Sequence, residues 1–520
     1  MQLSLSDLQQ MNAEFIASLP CEQARELLGK TVADLIELYE RLNQNSHNSS
    51  RPPSSEVPWQ KFEDDEDQEG DHEASSPDDG DNEPESAGDE SDHNDTEPSG
   101  NDESPRKPGR AVGMPGHGRT VDLPISGREN HYPEQCVICG QTLDPEKFVA
   151  RNGHYVLDLV QNSEGLAGLE LTHVLHVYGD IACTCGHVNC TEPGRCEKEE
   201  GWKVALTEWR LVGPTLAALI VCLSLRMRCS RRSIQEFLLD WFGVYLSTAT
   251  INHCIHEVGR AVAPLEQQLA EEIRQAALLY ADETTWKEAG LLLWLWVFCS
   301  STVTLYLIGR RSKEIIQILL EGNFAGWLMS DGYTVYRDFL KRLRCWAHLI
   351  RKAQGLVESL NSDARAFGEA VKALLTELMK AVRKAREGPP VNLQPLYAEQ
   401  LARFKLLCEQ YSNSSHEKTK KLAREFLNDW DAIWMVLQYP WLPLTNNEAE
   451  RALRHWVIAR LISHGTRTAE GTRVFALLAS VIETCRKRNI TPWPYIAQVI
   501  TERHKGNAAP PIPAPLDKAN

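Results

Sequence analysis

Between Glu63 and Glu103 the chain has no lysine and no arginine, although 20 aspartates and glutamates fall there. A segment so acidic and so poor in apolar residues cannot bury enough surface to offset chain entropy, which excludes a packed domain over that stretch. The block also holds more than the whole formal net charge of −17 and leaves the rest of the chain at +3. Overall acidity therefore does not exclude an anionic partner. The first 20 residues lack a basic start and a continuous apolar run, so no export signal is expected and a cytoplasmic location is. A membrane helix is missing too. The 21 uncharged residues from Ala289 to Gly309 are long enough to span a bilayer. Their centre is Ser300-Ser301-Thr302, strand-forming residues dominate, and charges flank both ends, so they read as two strands and no membrane partner is expected.

Cysteine pairs of the secreted type are likewise absent. Of 14 cysteines, eight are scattered singly and six lie between Cys136 and Cys196. In a reducing compartment such clustering favours a metal over disulfides. Cys136-Val-Ile-Cys139 has the spacing of half a zinc knuckle, because two thiolates two residues apart can bind one tetrahedral ion. Its expected partner is Cys183-Thr-Cys185, one residue short of the usual pair, with His187, Cys190 and Cys196 as alternative ligands. A structural Zn²⁺ on Cys136, Cys139, Cys183 and Cys185 is expected, within a zinc-binding domain over residues 131 to 200.

What is present is 42% hydrophobic residues over 520, enough for several domains. Residues 1 to 44 form an N-terminal helical segment. In it Leu28, Val32, Leu35, Tyr39 and Leu42 follow a 4-3-4-3 spacing, which fits either a short coiled coil or an ordinary amphipathic helix. Residues 45 to 130 read as a disordered linker containing the acidic block, followed by a basic Gly- and Pro-rich run from Pro105 to Arg119. The block is either a spacer or a tethered polyanion competing with DNA for basic surfaces. Residues 205 to 262 are helical, with a Gly243 turn and Ser247 capping the next helix. That is helix-turn-helix spacing or a plain helical hairpin, with Thr248, Asn252 and His253 on its polar face.

The central stretch is Leu278-Leu-Tyr-Ala-Asp282, an apolar run that ends in an acid. Two further apolar runs follow, Leu291–Phe298 and Thr302–Ile308, then a helical segment from Ser312 to Leu320. A fourth run, Trp327–Ser330, again ends in an acid, Asp331. Three antiparallel strands, a crossover helix and a return strand with a second acid is the order of a ribonuclease H-like sheet. Asp282 and Asp331 are then either metal ligands on adjacent strand ends or ordinary turn and cap residues. Downstream, Thr445 and Glu448 have capping-box spacing, which leaves Glu450 without a structural role on a face with Asn446, Asn447 and Arg454. The 118 residues between Asp331 and Glu450 exceed what a compact sheet needs, so residues 349 to 440 read as a helical insertion. It separates two parts of an α/β catalytic core, residues 270 to 348 and 441 to 503, with a disordered tail from 504 to 520. Cations follow both acids: Arg337, Lys341, Arg342, Arg344, Arg351 and Lys352 after the second, and Arg451, Arg454, Arg460, Arg467 and Arg473 after the third. Backbone phosphates would lie there.

Ala281-Asp-Glu-Thr, Ser330-Asp-Gly-Tyr, Arg344-Cys-Trp-Ala-His-Leu-Ile-Arg-Lys352, Asn446-Asn-Glu-Ala-Glu-Arg451 and Gly465-Thr-Arg-Thr-Ala-Glu-Gly471 resemble, in this order, motifs of the insertion-sequence-66 family of bacterial transposases. So do the polar run Asn43–Ser55 and the basic Gly/Pro run; the long acidic block departs from the pattern. The resemblance implies a DDE transposase in which Asp282, Asp331 and Glu450 hold two Mg²⁺ ions for cleavage at transposon ends and 3′-hydroxyl strand transfer. It implies DNA contacts from Arg337, Arg344, His348, Arg351, Lys352, Asn446, Asn447, Arg451 and Arg454. Expected partners are transposon-end and target DNA, further copies of the chain on that DNA, and small accessory proteins of the same element. Alternatives are a ribonuclease H-like nuclease that cuts without joining and an inactive zinc and helix-turn-helix DNA binder.

Overall fold

The computed structural model describes residues 20–44, 48–49, 124–161, 168–191, 212–320 and 324–515. The acidic block and Cys196 lie outside them. Helix α1 (Cys21–Leu42) docks through Glu40, whose carboxylate takes hydrogen bonds from Ser359 and His416 Nε2 (3.3 Å) and ion pairs with Lys418 at 3.1 Å. Leu28, Val32, Leu35, Tyr39 and Leu42 are all exposed, so the 4-3-4-3 seam faces away from the chain's own core.

Strands β1 (Gly127–His131), β2 (Phe148–Gln161), β3 (Leu169–Ala182) and β4 (Val188–Cys190) form one mixed sheet. The long antiparallel pair β2–β3 is its centre, with β1 parallel and β4 antiparallel on the other edge of β3. At one end of it Cys136, Leu143, Ile181 and Cys183 form a small core covered by Tyr132 and Phe148, and Leu157, Leu159, Val177 and Tyr178 are buried further along the strands.

Four helices follow: α2 (Pro214–Val221), α3 (Arg231–Phe242), α4 (Thr248–Val262) and α5 (Leu265–Arg274). Gly243, at φ +67°, ends α3 in the left-handed conformation that only glycine adopts without cost. The Ser247 hydroxyl then accepts from the Thr250 N–H at the start of α4. Helix, glycine turn and capped helix therefore stand where the residue pattern placed them, and Thr248, Asn252 and His253 are exposed.

The second sheet has the order β7 (Thr304–Gly309), β6 (Leu291–Cys299), β5 (Leu278–Glu288), β8 (Trp327–Ser330), β9 (Arg342–Arg344). Strands β5 (Leu278–Glu288) and β6 (Leu291–Cys299) join through Ala289 and Gly290, both at positive φ, the two-residue turn whose twist suits a hairpin. Strand β7 (Thr304–Gly309) completes the meander, so the uncharged 21-residue stretch is a pair of strands. Among the described residues no helix is long and apolar enough to cross a membrane. Helix α6 (Lys313–Leu320) then crosses over to β8 (Trp327–Ser330), parallel to β5, and β9 (Arg342–Arg344) is parallel to β8. No strand was expected at Arg342–Arg344, where the pattern suggested a run of surface cations.

Residues 346 to 438 fold into α7 (Trp346–Val357), α8 (Ser362–Arg386), α9 (Ala398–Tyr411), α10 (Glu417–Asn428) and α11 (Trp430–Gln438). Their apolar faces share one core containing Trp346, Phe367, Phe404, Phe426 and Trp434, into which Met329 and Leu343 of the sheet also pack. The chain returns as α12 (Asn447–Ser463), α13 (Ala469–Lys487) and α14 (Pro492–His504). Helix α13 lies along the outer strand β7: Ser480 and Thr484 accept from the N–H groups of Tyr306 and Thr304 at 2.8 and 3.1 Å. Those hydroxyls satisfy an edge that would otherwise offer itself for pairing.

Candidate active site

Strand β5 does not stop at Asp282; it runs on to Glu288 against β6. What ends near Asp282 is its pairing with β8, which covers only Leu278 to Tyr280, with Tyr280 opposite Met329. Two residues beyond that pair, Asp282 continues β5 and Asp331 follows directly on the end of β8, near enough for the charge of Asp331 to act on Asp282. The two carboxylates thus sit where the parallel pair opens. Each is fixed by a nearby backbone N–H, that of Glu283 for Asp282 (2.9 Å) and that of Tyr333 for Asp331 (2.9 Å).

Helix α12 is docked onto this opening at its first turn. The Asn446 amide is buried, and its Nδ2 donates to the Ala281 carbonyl at 2.9 Å, next to Asp282. The Asn446 N–H donates to Cys345 Sγ at 3.2 Å, and the Trp346 N–H to the Leu444 carbonyl at 2.9 Å. These bonds hold the residues before α12 against the start of α7. The expected capping box is therefore absent: Asn446 occupies the cap position without a side-chain cap bond, and Glu448 instead faces Arg451 (3.3 Å) and Lys487 (3.8 Å). Glu450 is turned inward, where Arg351 Nη2 donates to its Oε1 at 3.2 Å and His348 Nδ1 lies 3.6 Å away. Burial first, then the neighbouring Arg351, Lys352 and Arg344 charges, push His348 down to about 3, so it is neutral.

Burial pushes the Asp282 carboxyl well above the ordinary range, reinforced by the charges of Asp331, Glu283 and Glu450. Among the described residues no cation pairs with Asp282 or Asp331. Glu283, which sequence reasoning passed over, is pushed up to about 7 by burial and Asp331. Hydrogen bonds from Arg311 (2.7 Å) and Tyr336 (2.9 Å) oppose that shift. Acidic crowding around Asp282, which has no ion-pair partner among the described residues, is an arrangement that a hard divalent cation relieves.

A cleft of about 410 Å³ opens beside Asp331, lined by Arg311, Arg337, Lys352, Lys421 and Arg424 with Tyr333 and Asn428. Arg311 lies over the rings of Trp294 and Tyr333, at 4.3 and 4.0 Å. Lys421 and Arg424 come from α10, which sequence reasoning left without a role.

Several residues expected to touch DNA are placed otherwise. Arg344 is buried with Glu425 and Asp429, which removes it from any phosphate path. Asn446 is a buried strut. Arg337 pairs with Asp429 at 3.1 Å and Lys352 with Glu425 at 2.7 Å, though both also reach the cleft. His348 and Arg351 are turned to Glu450. Asn447, Arg451 and Arg454 are exposed. The Gly465–Gly471 motif ties the α12–α13 loop to β5. The Thr466 N–H donates to the Lys287 carbonyl at 2.9 Å, and the Thr466 hydroxyl accepts from Trp286 Nε1 at 3.1 Å. Gly465, at φ +96°, lies so close to the Lys287 carbonyl that no Cβ fits.

In the first sheet Cys136, Cys139, Cys183 and Cys185 bring their sulfurs within 4.8 Å of one another, and His187 and Cys190 are not among them. The backbone N–H dipoles of Cys139 and Ile138 beside the Cys136 sulfur lower its thiol to about 6. The Val137 N–H donates to buried Asn189 at 3.0 Å, which locks the Cys136–Cys139 turn to the β3–β4 hairpin. Two residues between the first pair and one between the second suffice, because the β3–β4 turn presents Cys183 and Cys185 on one side.

One acid on a strand, a second just past the end of its parallel neighbour, a third on a docked helix and a cleft lined by cations beside them define a carboxylate-centred α/β domain. The Transposase IS66 family matches residues 210–474, just over half of the chain, and the chain belongs to that family. Residues 6–77 match a second family of unknown function, DUF6444. Among curated relatives, the uncharacterized protein y4jO of Sinorhizobium fredii is 25% identical over 214 residues, 38% of this chain and 65% of that protein. The uncharacterized protein y4qI of the same organism is 24% identical over 314 residues, 54% and 58% of the two chains. Matches of this chain therefore span 58% to 65% of these two relatives' own lengths.

Proposed function

We propose that the chain is a DDE transposase whose catalytic core is ribonuclease H-like. Asp282, Asp331 and Glu450 form its acidic triad. The observation that supports this reading is the parallel pairing of β5 and β8, which ends two residues short of both Asp282 and Asp331, together with the Asn446–Ala281 bond that docks the Glu450 helix at the same opening. The sheet order supports it: a three-stranded antiparallel meander continued by two parallel strands after a crossover helix.

The donor set fits divalent magnesium, since it consists of carboxylate oxygens, and neither aspartate has an ion-pair partner among the described residues. Bound there, such ions supply activation of an attacking oxygen and charge neutralisation at the leaving oxygen. The chain's own residues do the rest. Asp282 and Asp331 are fixed by backbone N–H groups. Glu450 accepts from Arg351 Nη2 and would join the two aspartates in holding the ions. Arg311, Lys421 and Arg424 in the cleft hold backbone phosphates beside Asp331. No nucleophilic side chain is required, because water and then a 3′-hydroxyl attack directly. The exposed face of α4, with Thr248, Asn252 and His253, is assigned to DNA as well, as are Asn447, Arg451 and Arg454. The partners are transposon-end and target DNA, with further copies of the chain and small accessory proteins assembled on it, in the cytoplasm.

The test is a cleavage and joining assay with Mg²⁺ on DNA carrying the inverted repeats that flank the gene. Nicking and strand transfer are expected. Nicking without joining reduces the protein to a nuclease, and binding without nicking leaves only a DNA binder. In the same DNA, Lys421→Ala and Arg424→Ala should each weaken binding uniformly across sequences. Each should also lower the slope of log affinity against log salt by about 0.9, measured by salt titration.

We further assign a structural Zn²⁺ to Cys136, Cys139, Cys183 and Cys185, whose four convergent sulfurs are the donor set of a closed tetrahedral site. Cys136→Ser or Cys139→Ser should cost one zinc per chain and expose the segment from 131 to 190 to limited proteolysis, since binding free energy in such a site is folding free energy. A fully folded, zinc-free preparation would falsify the assignment.

A further inference from the structure

On the same small sheet, outside the four cysteines, three more donor groups meet. Glu129 and His131 are two residues apart on β1 and therefore share a face, and the parallel register sets His176 of β3 directly opposite Glu129. His131 Nε2 lies 2.9 Å from His176 Nδ1. Glu129 Oε2 lies 3.2 Å from that same Nδ1 and 3.8 Å from His131 Nε2. All three ligand atoms fall within 4.8 Å of one another. We infer that Glu129, His131 and His176 form a second site for a borderline divalent ion of the zinc class.

The convergence itself argues for a cation. In a neutral pair a single proton can serve one of the two contacts at His176 Nδ1, yet an imidazole nitrogen and a carboxylate oxygen both point at it. Zinc–nitrogen and zinc–oxygen bonds of about 2.0–2.2 Å in a tetrahedron set ligand atoms about 3.3 Å apart. The three separations here bracket that value. Two imidazoles and one carboxylate suit zinc and its neighbours rather than magnesium or calcium, which take oxygen.

The rings are also held in orientation before any ion arrives. His131 stacks on Tyr178 at 4.4 Å and 11°, and His176 on His154 at 5.6 Å and 24°. Glu129 is exposed and the two imidazoles are partly buried, so the site is open to solvent for loading and for a fourth, water ligand. The placement explains a need. Strand β1 is five residues long and none of its residues is buried, so apolar packing does little to hold it to β3. An ion on this triad ties β1 to β3, as the cysteine site ties the following knuckle to the β3–β4 turn.

The experiment uses the full chain, stripped with a chelator under reducing conditions, reloaded with Zn²⁺ and desalted before metal analysis. Wild type should hold one more zinc than the His131→Gln/His176→Gln variant, whatever the occupancy of the cysteine site. Equal zinc content in the two overturns the proposal. Because the double variant can lose its fold, cobalt titration supplies a second measurement on wild type and on Glu129→Gln. In wild type one class of Co²⁺ should show visible absorption without thiolate charge transfer. Its affinity should fall at least about tenfold in Glu129→Gln, since even outer-shell changes cost that much. Cobalt absorption in wild type that is thiolate-linked throughout, or an affinity unchanged by Glu129→Gln, rejects the site.

Discussion

Asp282→Asn should lower Mg²⁺-dependent strand cleavage by about 10³-fold or more while affinity for the same DNA stays unchanged or tightens. Loss of a metal-holding charge removes several kcal/mol of transition-state stabilisation, and about 1.4 kcal/mol is a factor of ten in rate. Asparagine keeps the shape, and the Glu283 N–H can still donate to its amide oxygen. The variant should also be more stable than wild type without metal. The Asp282 carboxyl is raised by burial and by Asp331. An acid raised in the folded state contributes stability below its unfolded value, and that contribution is lost as pH rises toward the folded value. Removing it therefore helps the metal-free protein at neutral pH, and Mg²⁺ should raise the thermal midpoint of wild type more than that of the variant. Asp331→Asn and Glu450→Gln should match it in cleavage. Glu448→Gln is the control, because its contacts are surface ion pairs worth about 0–1 kcal/mol. Full cleavage by Asp282→Asn, or loss of cleavage in Glu448→Gln but not in Glu450→Gln, removes the triad.

Local patterns carried much of this architecture, and distant ones did not. The runs ending at Asp282 and Asp331 were readable because alternation, length and turn residues act within about ten positions. Gly243 and Ser247 were readable for the same reason: each acts on a backbone group three or four residues away. The four cysteines that converge are those chosen by spacing. The Thr445–Glu448 pattern misled, because a local capping box lost to long-range bonds from Asn446 to Ala281 and Cys345, 165 and 101 residues away. Strand β9 was hidden for a related reason. Its Arg342 and Arg344 look like surface cations until their partners, Asp429 and Glu425, arrive from 81 to 87 residues downstream. Periodicity could identify α10 as a helix, but it could not show that Lys421 and Arg424 would line a cleft beside Asp331.

Those buried partners set the largest stability effect. Arg344→Ala should destabilise the fold by about 3–5 kcal/mol, because it leaves the Asp429 and Glu425 carboxylates in the interior without their central cation. Arg342 at 2.9 Å and Arg337 at 3.1 Å from Asp429, and Lys352 at 2.7 Å from Glu425, remain but do not reach both acids. Arg344→Lys should recover little, since an ammonium cannot replace a fork that bridges two carboxylates. The effect has a pH signature. Burial raises Asp429 and Glu425, yet the charges of Arg344, Arg342 and Lys352 outweigh it and hold both below the ordinary carboxylate values of 3.8 and 4.5. An acid lowered in the folded state contributes stability above its unfolded value and loses it as pH falls. Wild type should therefore lose stability steeply below about pH 4, and Arg344→Ala should lose less over the same range because part of that contribution is already gone. The network also supports the site. A Cβ on Gly332 would come within 2.8 Å of the Arg344 guanidinium and 2.7 Å of Glu425, so the turn carrying Asp331 rests directly on this pair. Urea unfolding of Arg344→Ala, Asp429→Ala and the double variant, at pH 7 and pH 4, decides the matter. The double variant should be destabilised by clearly less than the sum of the single ones. Additive losses with no dependence on pH would show that Arg344 contributes packing alone, and the Asp331 turn would then owe its position to the β8–β9 pairing instead.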